Sequence, residues 1–291
     1  MKKILVTGST GLLGTALVLF LKKSGYKIVT NARAGGADFL VDLADNEKSY
    51  EMLSKIKPDL IINLASFTNV ELCQEMCNIA YLANSRVVEN LTDWIIKTSA
   101  DCHLIQVSTD HVYDSPELHI EGKVNLTNTY AFSKYAGELV ASRVPTTILR
   151  TNFIGRSKVT HRESFSDWVY TSLTNGKEIQ VLDDVYFSPL SINTLVEMIQ
   201  LVIERKPVGI FNLGSHNGMS KADFSFFFAE CLDLPTHTMS RIEALQATFI
   251  KTYRPKDMRM NCSKFENTIG VKLPQLHDEI IRVAKDYDEV S

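Results

Sequence analysis

Short apolar runs alternate with amphipathic stretches through the first half of the chain. "KILVT" (3–7) reads as a buried strand, and "GLLGTALVLFLKKSG" (11–25) as a helix closed by Gly25. Further strands are expected at "KIVTN" (27–31), at "DLIINLA" (59–65) after Pro58, at "HLIQVST" (103–109) and at "TTILRT" (146–151). A long helix is expected from about Asn78 to Thr98, and another around 130–143 between the last two strands. Continuous Val/Ile/Leu runs separated by helices predict a parallel sheet covered on both faces. Right-handed crossovers then make it an α/β, doubly wound sheet of the Rossmann type.

Beyond about residue 155 the pattern loosens. "EIQVLDD" (178–184), a helix around 191–205, "GIFNLGS" (209–215), a helix from about Ser220 and a last helix near 275–287 follow. The expected organisation is a sheet domain over 1–155 and a smaller mixed α/β lobe over 156–291. The lobe is partly interleaved with the first domain, and some of its segments return to the sheet.

Bulk properties narrow the function classes. The 291 residues are 45% apolar and 22% charged, which suits a globular protein with a sizeable core. A net charge of −3 carries no basic field for nucleic acid or an anionic membrane. The five cysteines are irregularly spaced, which argues for a reducing compartment and against a disulfide framework. Cys73 and Cys77 stand at helical i, i+4 spacing without a second ligand pair, so no metal is expected. Met1-Lys2-Lys3 and the apolar residues to Leu21 faintly resemble a secretory signal. Thr7-Gly8-Ser9-Thr10-Gly11 breaks the segment, and no small-residue cleavage site follows. No apolar run reaches the length of a membrane span, so a cytoplasmic protein is expected.

"TGSTGLLG" places Gly8, Gly11 and Gly14 between the first strand and the first helix. Glycine permits a tight turn and close approach of backbone to a pyrophosphate, and a helix N-terminus adds free N–H groups. The loop therefore predicts dinucleotide binding in the first domain. An NAD protein usually carries a carboxylate at the end of the second strand to bind the ribose hydroxyls. Here that region reads "VTNARAGG", with Asn31 and Arg33 and no carboxylate. Arginine can pair with a 2′-phosphate, so NADPH is expected in preference to NADH.

"VSTDHVYD" (107–114) ends the fourth expected strand, on the side where ligands bind in such sheets. "YAFSKYAGE" (130–138) follows, with Tyr130 and Lys134 one helical turn apart on one face. A neighbouring ammonium lowers the pKa of a phenol and makes it an effective proton donor and acceptor. Thr109 can donate to a carbonyl oxygen that gains negative charge.

In these segments together the chain resembles the extended short-chain dehydrogenase/reductases. Within them it resembles the dTDP-4-dehydrorhamnose reductase family. The matching segments run nearly end to end and include "PDLIINLASFTNVELCQ" (58–74), "YLANS" (81–85), "ILRTNFIG" (148–155), "GIFNLGS" and "RPKDMRMNCSKF" (254–265). The resemblance implies an NAD(P)H-dependent reductase of a nucleotide-linked 4-keto sugar, serving deoxysugar and polysaccharide biosynthesis, and leaves a homodimer open. It implies that Gly8, Thr10, Gly11, Leu12, Leu13 and Gly14 form the pyrophosphate loop. Asp42 and Leu43 match the adenine-contacting pair, and Leu64, Ala65 and Ser66 the strand end beneath the cofactor. Thr109, Tyr130 and Lys134 match the catalytic triad, with Tyr130 and Lys134 also beside the cofactor. Thr68, Val70, Asn84, Thr109, Asp110, His111, Phe153 and Arg254 fall at substrate-lining positions.

The chain also departs from the family. "STDHVYDS" stands where "STDYVFDG" is usual, and "DDVYFSPLS" (183–191) where "DQxGxPT" is usual. The substrate-side loops have diverged more than the cofactor side. His111 occupies the place of the glutamate that sugar-nucleotide 4,6-dehydratases use, which argues against elimination chemistry. A sugar-nucleotide epimerase and a non-catalytic NADP-binding regulatory subunit stay open as alternatives.

Overall fold

A computed structural model of the chain describes residues 2–98, 100–160 and 162–288. The elements in chain order begin with β1 (Lys3–Thr7), α1 (Leu12–Lys23), β2 (Lys27–Ala32), β3 (Phe39–Leu40) and α2 (Asn46–Ile56). Next come β4 (Leu60–Asn63), α3 (Val70–Glu75), α4 (Cys77–Tyr81), a π-helical turn (Leu82–Arg86) and α5 (Val87–Thr98). β5 (His103–Val107), α6 (Thr129–Ala141), β6 (Thr146–Thr151), β7 (Phe153–Ile154), α7 (Phe165–Thr174), β8 (Ile179–Leu182), β9 (Tyr186–Phe187) and β10 (Leu190–Ser191) follow. The chain continues through α8 (Ile192–Arg205), β11 (Gly209–Leu213), β12 (Met219–Ser220), α9 (Lys221–Cys231), β13 (Met239–Ile242), α10 (Ser263–Ile269) and α11 (Leu276–Asp288).

The chain divides into two compact units. The first comprises residues 1–109, 128–150 and 196–211, and the second 110–127, 151–195 and 212–291. The main sheet has the strand order β11-β6-β5-β4-β1-β2-β3. Strands β1 to β6 pair in parallel. The order reverses between β1 and β4, and ligands of open α/β sheets bind outside the strand ends at such a switch point. The architecture is the α/β doubly wound fold expected from the sequence.

The central strands of the first unit are buried on both faces, which is why apolar residues dominate them: every residue of β4 and β5 is buried. One face of the sheet packs Leu5, Ile61, Leu104 and Ile148 against Met52, Leu53, Leu91 and Trp94 from α2 and α5. Helix α2 is capped by Asp45, whose side chain accepts from the Lys48 N–H, and it buries Met52, Leu53 and Ile56. The long helical stretch expected from about Asn78 to Thr98 is present as α4, the π-helical turn and α5, which follow one another without a break.

The second unit has its own core, in which Phe187, Phe224 and Phe228 pack with Leu276, Ile280 and Val283 of α11. Its two-stranded pairings are β7 with β10, β8 with β13, and β9 with β12. Among the described residues, no helix is long and apolar enough to cross a membrane.

Candidate active site

The phosphate loop is built by close approach. Gly8 has φ +61, and a Cβ there would sit 2.8 Å from the backbone nitrogen of Ala65. A Cβ on Gly14 would lie 2.3 Å from the Gly8 carbonyl oxygen. Only glycine fits either place. Ser9 ties the loop to β2, since its N–H and its hydroxyl both donate to the Asn31 carbonyl, at 3.1 and 3.0 Å. The helix cap at Gly11 supplies no side-chain acceptor to the first N–H groups of α1. An uncapped helix start against a glycine cradle fits the pyrophosphate of a dinucleotide.

Leu64 and Ala65 lie against this loop. Both of their N–H groups donate to Thr7 Oγ1, at 3.2 and 3.3 Å. Arg33 is exposed beyond the end of β2. The first carboxylate after β2, Asp38, folds back onto that strand. It accepts from the Thr30 N–H at 2.9 Å and the Thr30 hydroxyl at 2.8 Å. The backbone hydrogen bond from Thr30 is the main cause of its lowered pKa. Asp38 carries no local signature in the sequence, because its partner Thr30 stands eight residues away.

Tyr130 and Lys134 are both buried on α6, at 7% and 4% exposure. Asn128 caps the helix by accepting from the Ala131 N–H at 2.9 Å. Tyr130 packs in a small cluster with Val70, Cys73 and Ala80. Lys134 donates from Nζ to the Val107 carbonyl at 2.8 Å, beside the strand end that carries Thr109. Burial pushes the Lys134 ammonium down to about 8, opposed by the charge of Glu138. Thr109 is buried two residues past the carbonyl that holds the lysine.

Four residues expected at ligands also make contacts within the first unit. The Asn31 amide donates to the carbonyls of Phe39 and Val41, at 3.2 and 3.1 Å, and so joins β2 to β3. Leu43 packs in the core with Met52 and Leu53. Val70 packs on Tyr130. Asn84 accepts from Ser66 Oγ and the Phe67 N–H, each at 2.8 Å, and donates to the Phe67 carbonyl and Ser133 Oγ, each at 2.9 Å. Its amide thus locks the segment after β4 onto α6. Thr68 is exposed, and Asp42 accepts from the Ala44 N–H at 3.0 Å.

The remaining substrate candidates belong to the second unit. Asp110 is buried and accepts from Asn152 Nδ2 at 2.7 Å. Desolvation, with the charges of Lys221 and Arg254, pushes the His111 imidazole down to about 3. At neutral pH His111 is therefore an uncharged hydrogen-bonding group. Phe153 is half-buried on β7, and Arg254 is half-buried. Lys221 joins this group and was not expected. Its Nζ lies 5.1 Å from the Phe165 ring centroid and 5.8 Å from that of Phe187.

A doubly wound sheet with a glycine cradle at its switch point and a Tyr/Lys pair on α6 defines a Rossmann-type dinucleotide-binding protein. The chain belongs to the RmlD substrate binding domain family, whose model matches residues 1–289. It is similar to the probable low-salt glycan biosynthesis reductase Agl14 of Haloferax volcanii, with 24% identity covering 98% of each chain. It is 26% identical to the dTDP-4-dehydrorhamnose reductase of Shigella flexneri, over 93% of each. The crystal structure of dTDP-4-dehydrorhamnose reductase from Bacillus anthracis in complex with NADP superposes with a TM-score of 0.85 at 22% identity, covering 97% of each chain. That likeness establishes the shared fold.

Proposed function

We propose that this protein reduces the 4-keto group of a nucleotide-linked 6-deoxy sugar with NADPH, in deoxysugar or polysaccharide biosynthesis. The observation that carries this reading is the buried Tyr130/Lys134 pair. It lies beside the β5 end, in the same unit as an uncapped, glycine-lined helix start.

In this reading Gly8, Thr10, Gly11, Leu12, Leu13 and Gly14 hold the pyrophosphate, and Arg33 pairs with the 2′-phosphate. When bound, the nicotinamide supplies the hydride that reaches C4. Tyr130 donates its phenolic proton to the sugar oxygen as that oxygen gains negative charge. Thr109 donates a hydrogen bond to the same oxygen. Lys134 stays protonated below about pH 8 and stabilises the phenolate that Tyr130 leaves behind. Its bond to the Val107 carbonyl fixes the ammonium while this happens. Following the family resemblance, Thr68, Asp110, His111, Phe153 and Arg254 are assigned to the nucleotide sugar, His111 as a neutral hydrogen-bonding partner.

The test is turnover. Purified protein is given dTDP-, GDP-, UDP- and CDP-linked 4-keto-6-deoxy sugars, with NADPH and with NADH, and nicotinamide absorbance and product stereochemistry are followed. NADPH oxidation with at least one of these sugars is expected. Tight NADPH binding with no turnover on any of them would instead identify a regulatory binding protein.

A further inference from the structure

Glu138 stands one turn beyond Lys134 and two beyond Tyr130 on the same helix. It is 1% exposed and paired with Arg150, which is equally buried. Arg150 Nε lies 3.1 Å from both carboxylate oxygens, and its Nη2 donates to Oε2 at 2.6 Å. The Ser108 hydroxyl donates to the same carboxylate. Ser108 lies between Val107, whose carbonyl accepts from Lys134, and Thr109. The Ser108 N–H donates to the Leu149 carbonyl at 2.7 Å, so β5 and β6 are joined at the same level.

The helix and the strand end therefore clasp each other twice. Lys134 donates from α6 to the strand, and Ser108 donates from the strand back to α6. A buried ion pair pays heavily in desolvation, and well-packed apolar replacements are often as stable. Packing alone does not call for one beneath the Tyr/Lys face.

We propose that Glu138 is a positioning residue for the reduction, holding Tyr130 and Lys134 in register with Thr109 through its joint grip on Ser108 and Arg150. The inference rests on the reductase reading of the site. Its negative charge also acts on Lys134, opposing the effect of burial and favouring the ammonium form. Arg150 is suited to the task because its planar fork fixes the carboxylate in orientation as well as position.

The experiment compares wild type with Glu138→Gln, Ser108→Ala and the double variant Glu138→Met/Arg150→Met. Thermal melts, kcat, NADPH affinity and the pH profile are measured. A carbon-13 titration of the Lys134 ε-carbon, assigned against Lys134→Met, reads the lysine without requiring activity. The double variant is expected to melt near wild type yet lose on the order of 10²-fold in kcat, as misplaced reacting groups do. NADPH affinity is expected to change little. The Lys134 midpoint is expected to fall in both Glu138 variants, and the alkaline decline of kcat to begin at lower pH with it.

A stable double variant with wild-type kcat and an unmoved Lys134 midpoint overturns the proposal. If the double variant does not fold, Ser108→Ala decides, because it removes one hydroxyl only. A lowered kcat at unchanged melting temperature supports the clasp, and wild-type kcat refutes it. Wild type that turns over no sugar refutes the reductase reading instead, and the Lys134 midpoint then judges Glu138 alone.

Discussion

The Lys134 ammonium donates a 2.8 Å hydrogen bond to the Val107 carbonyl, binding the middle of α6 to the end of β5. This bond holds a charged group where burial lowers its pKa from 10.5 to about 8. Two consequences of opposite sign follow. Between about pH 8 and 10.5 the unfolded chain keeps this proton while the folded chain has lost it, so the site's contribution to stability rises with pH across that window. Activity needs the ammonium, so kcat is expected to fall as pH rises through about 8. Melting curves and kcat profiles recorded over the same pH range check the pair. A kcat that stays flat through that region would remove the role assigned to Lys134.

Tyr130→Phe keeps the ring among Val70, Cys73 and Ala80 and removes only the hydroxyl. The variant is expected to fold and to bind NADPH. Its turnover is expected to fall by about 10²–10⁴-fold, the usual worth of a positioned proton donor. NADPH oxidation under saturating sugar measures this directly, and near-normal turnover would mean that another group supplies the proton.

Gly14→Ala places a methyl group where a Cβ meets the Gly8 carbonyl oxygen at 2.3 Å. The cradle has to move, because the obstructing atom is backbone. A stability loss of about 1–3 kcal/mol is expected, typical of overpacking, together with weaker NADPH binding. Chemical denaturation and a fluorescence titration with NADPH test the two effects. An alanine variant with wild-type affinity would show that the loop does not approach the ligand.

Arg33 is exposed, and Asp38 is held by Thr30. Arg33→Ala is therefore expected to weaken NADPH by roughly tenfold, the scale of a charge-assisted hydrogen bond to phosphate, and NADH far less. Equal losses for both nucleotides would leave the 2′-phosphate without its assigned partner.

The local features were legible in the chain. Strands β1, β4 and β5 are buried on both faces for most of their length, so each carries consecutive apolar residues: Ile4 to Val6, Leu60 to Ile62, and Leu104 with Ile105. The glycine cradle and the Tyr130/Lys134 spacing are also short-range, since a turn and one helical step each span only a few residues. No expectation covered helices α2 and α7, although the caps at Asp45 and Ser164 mark both starts locally; the largely polar composition of α2 dilutes its apolar signal.

The roles of Asn31, Leu43, Val70, Asn84 and Glu138 were decided only by tertiary structure. Asn31 stands in the cofactor-side region at the end of β2, and family likeness places Leu43, Val70 and Asn84 at ligands; the structure adds the internal contacts their side chains make within the first unit. Asn84 is bonded to Ser133, 49 residues away, and Glu138 to Ser108, 30 residues away. A sequence displays which groups need partners, because burial and helix geometry act locally. Which partner each group finds depends on how the chain returns, and only the folded sheet brings those distant residues within hydrogen-bond reach.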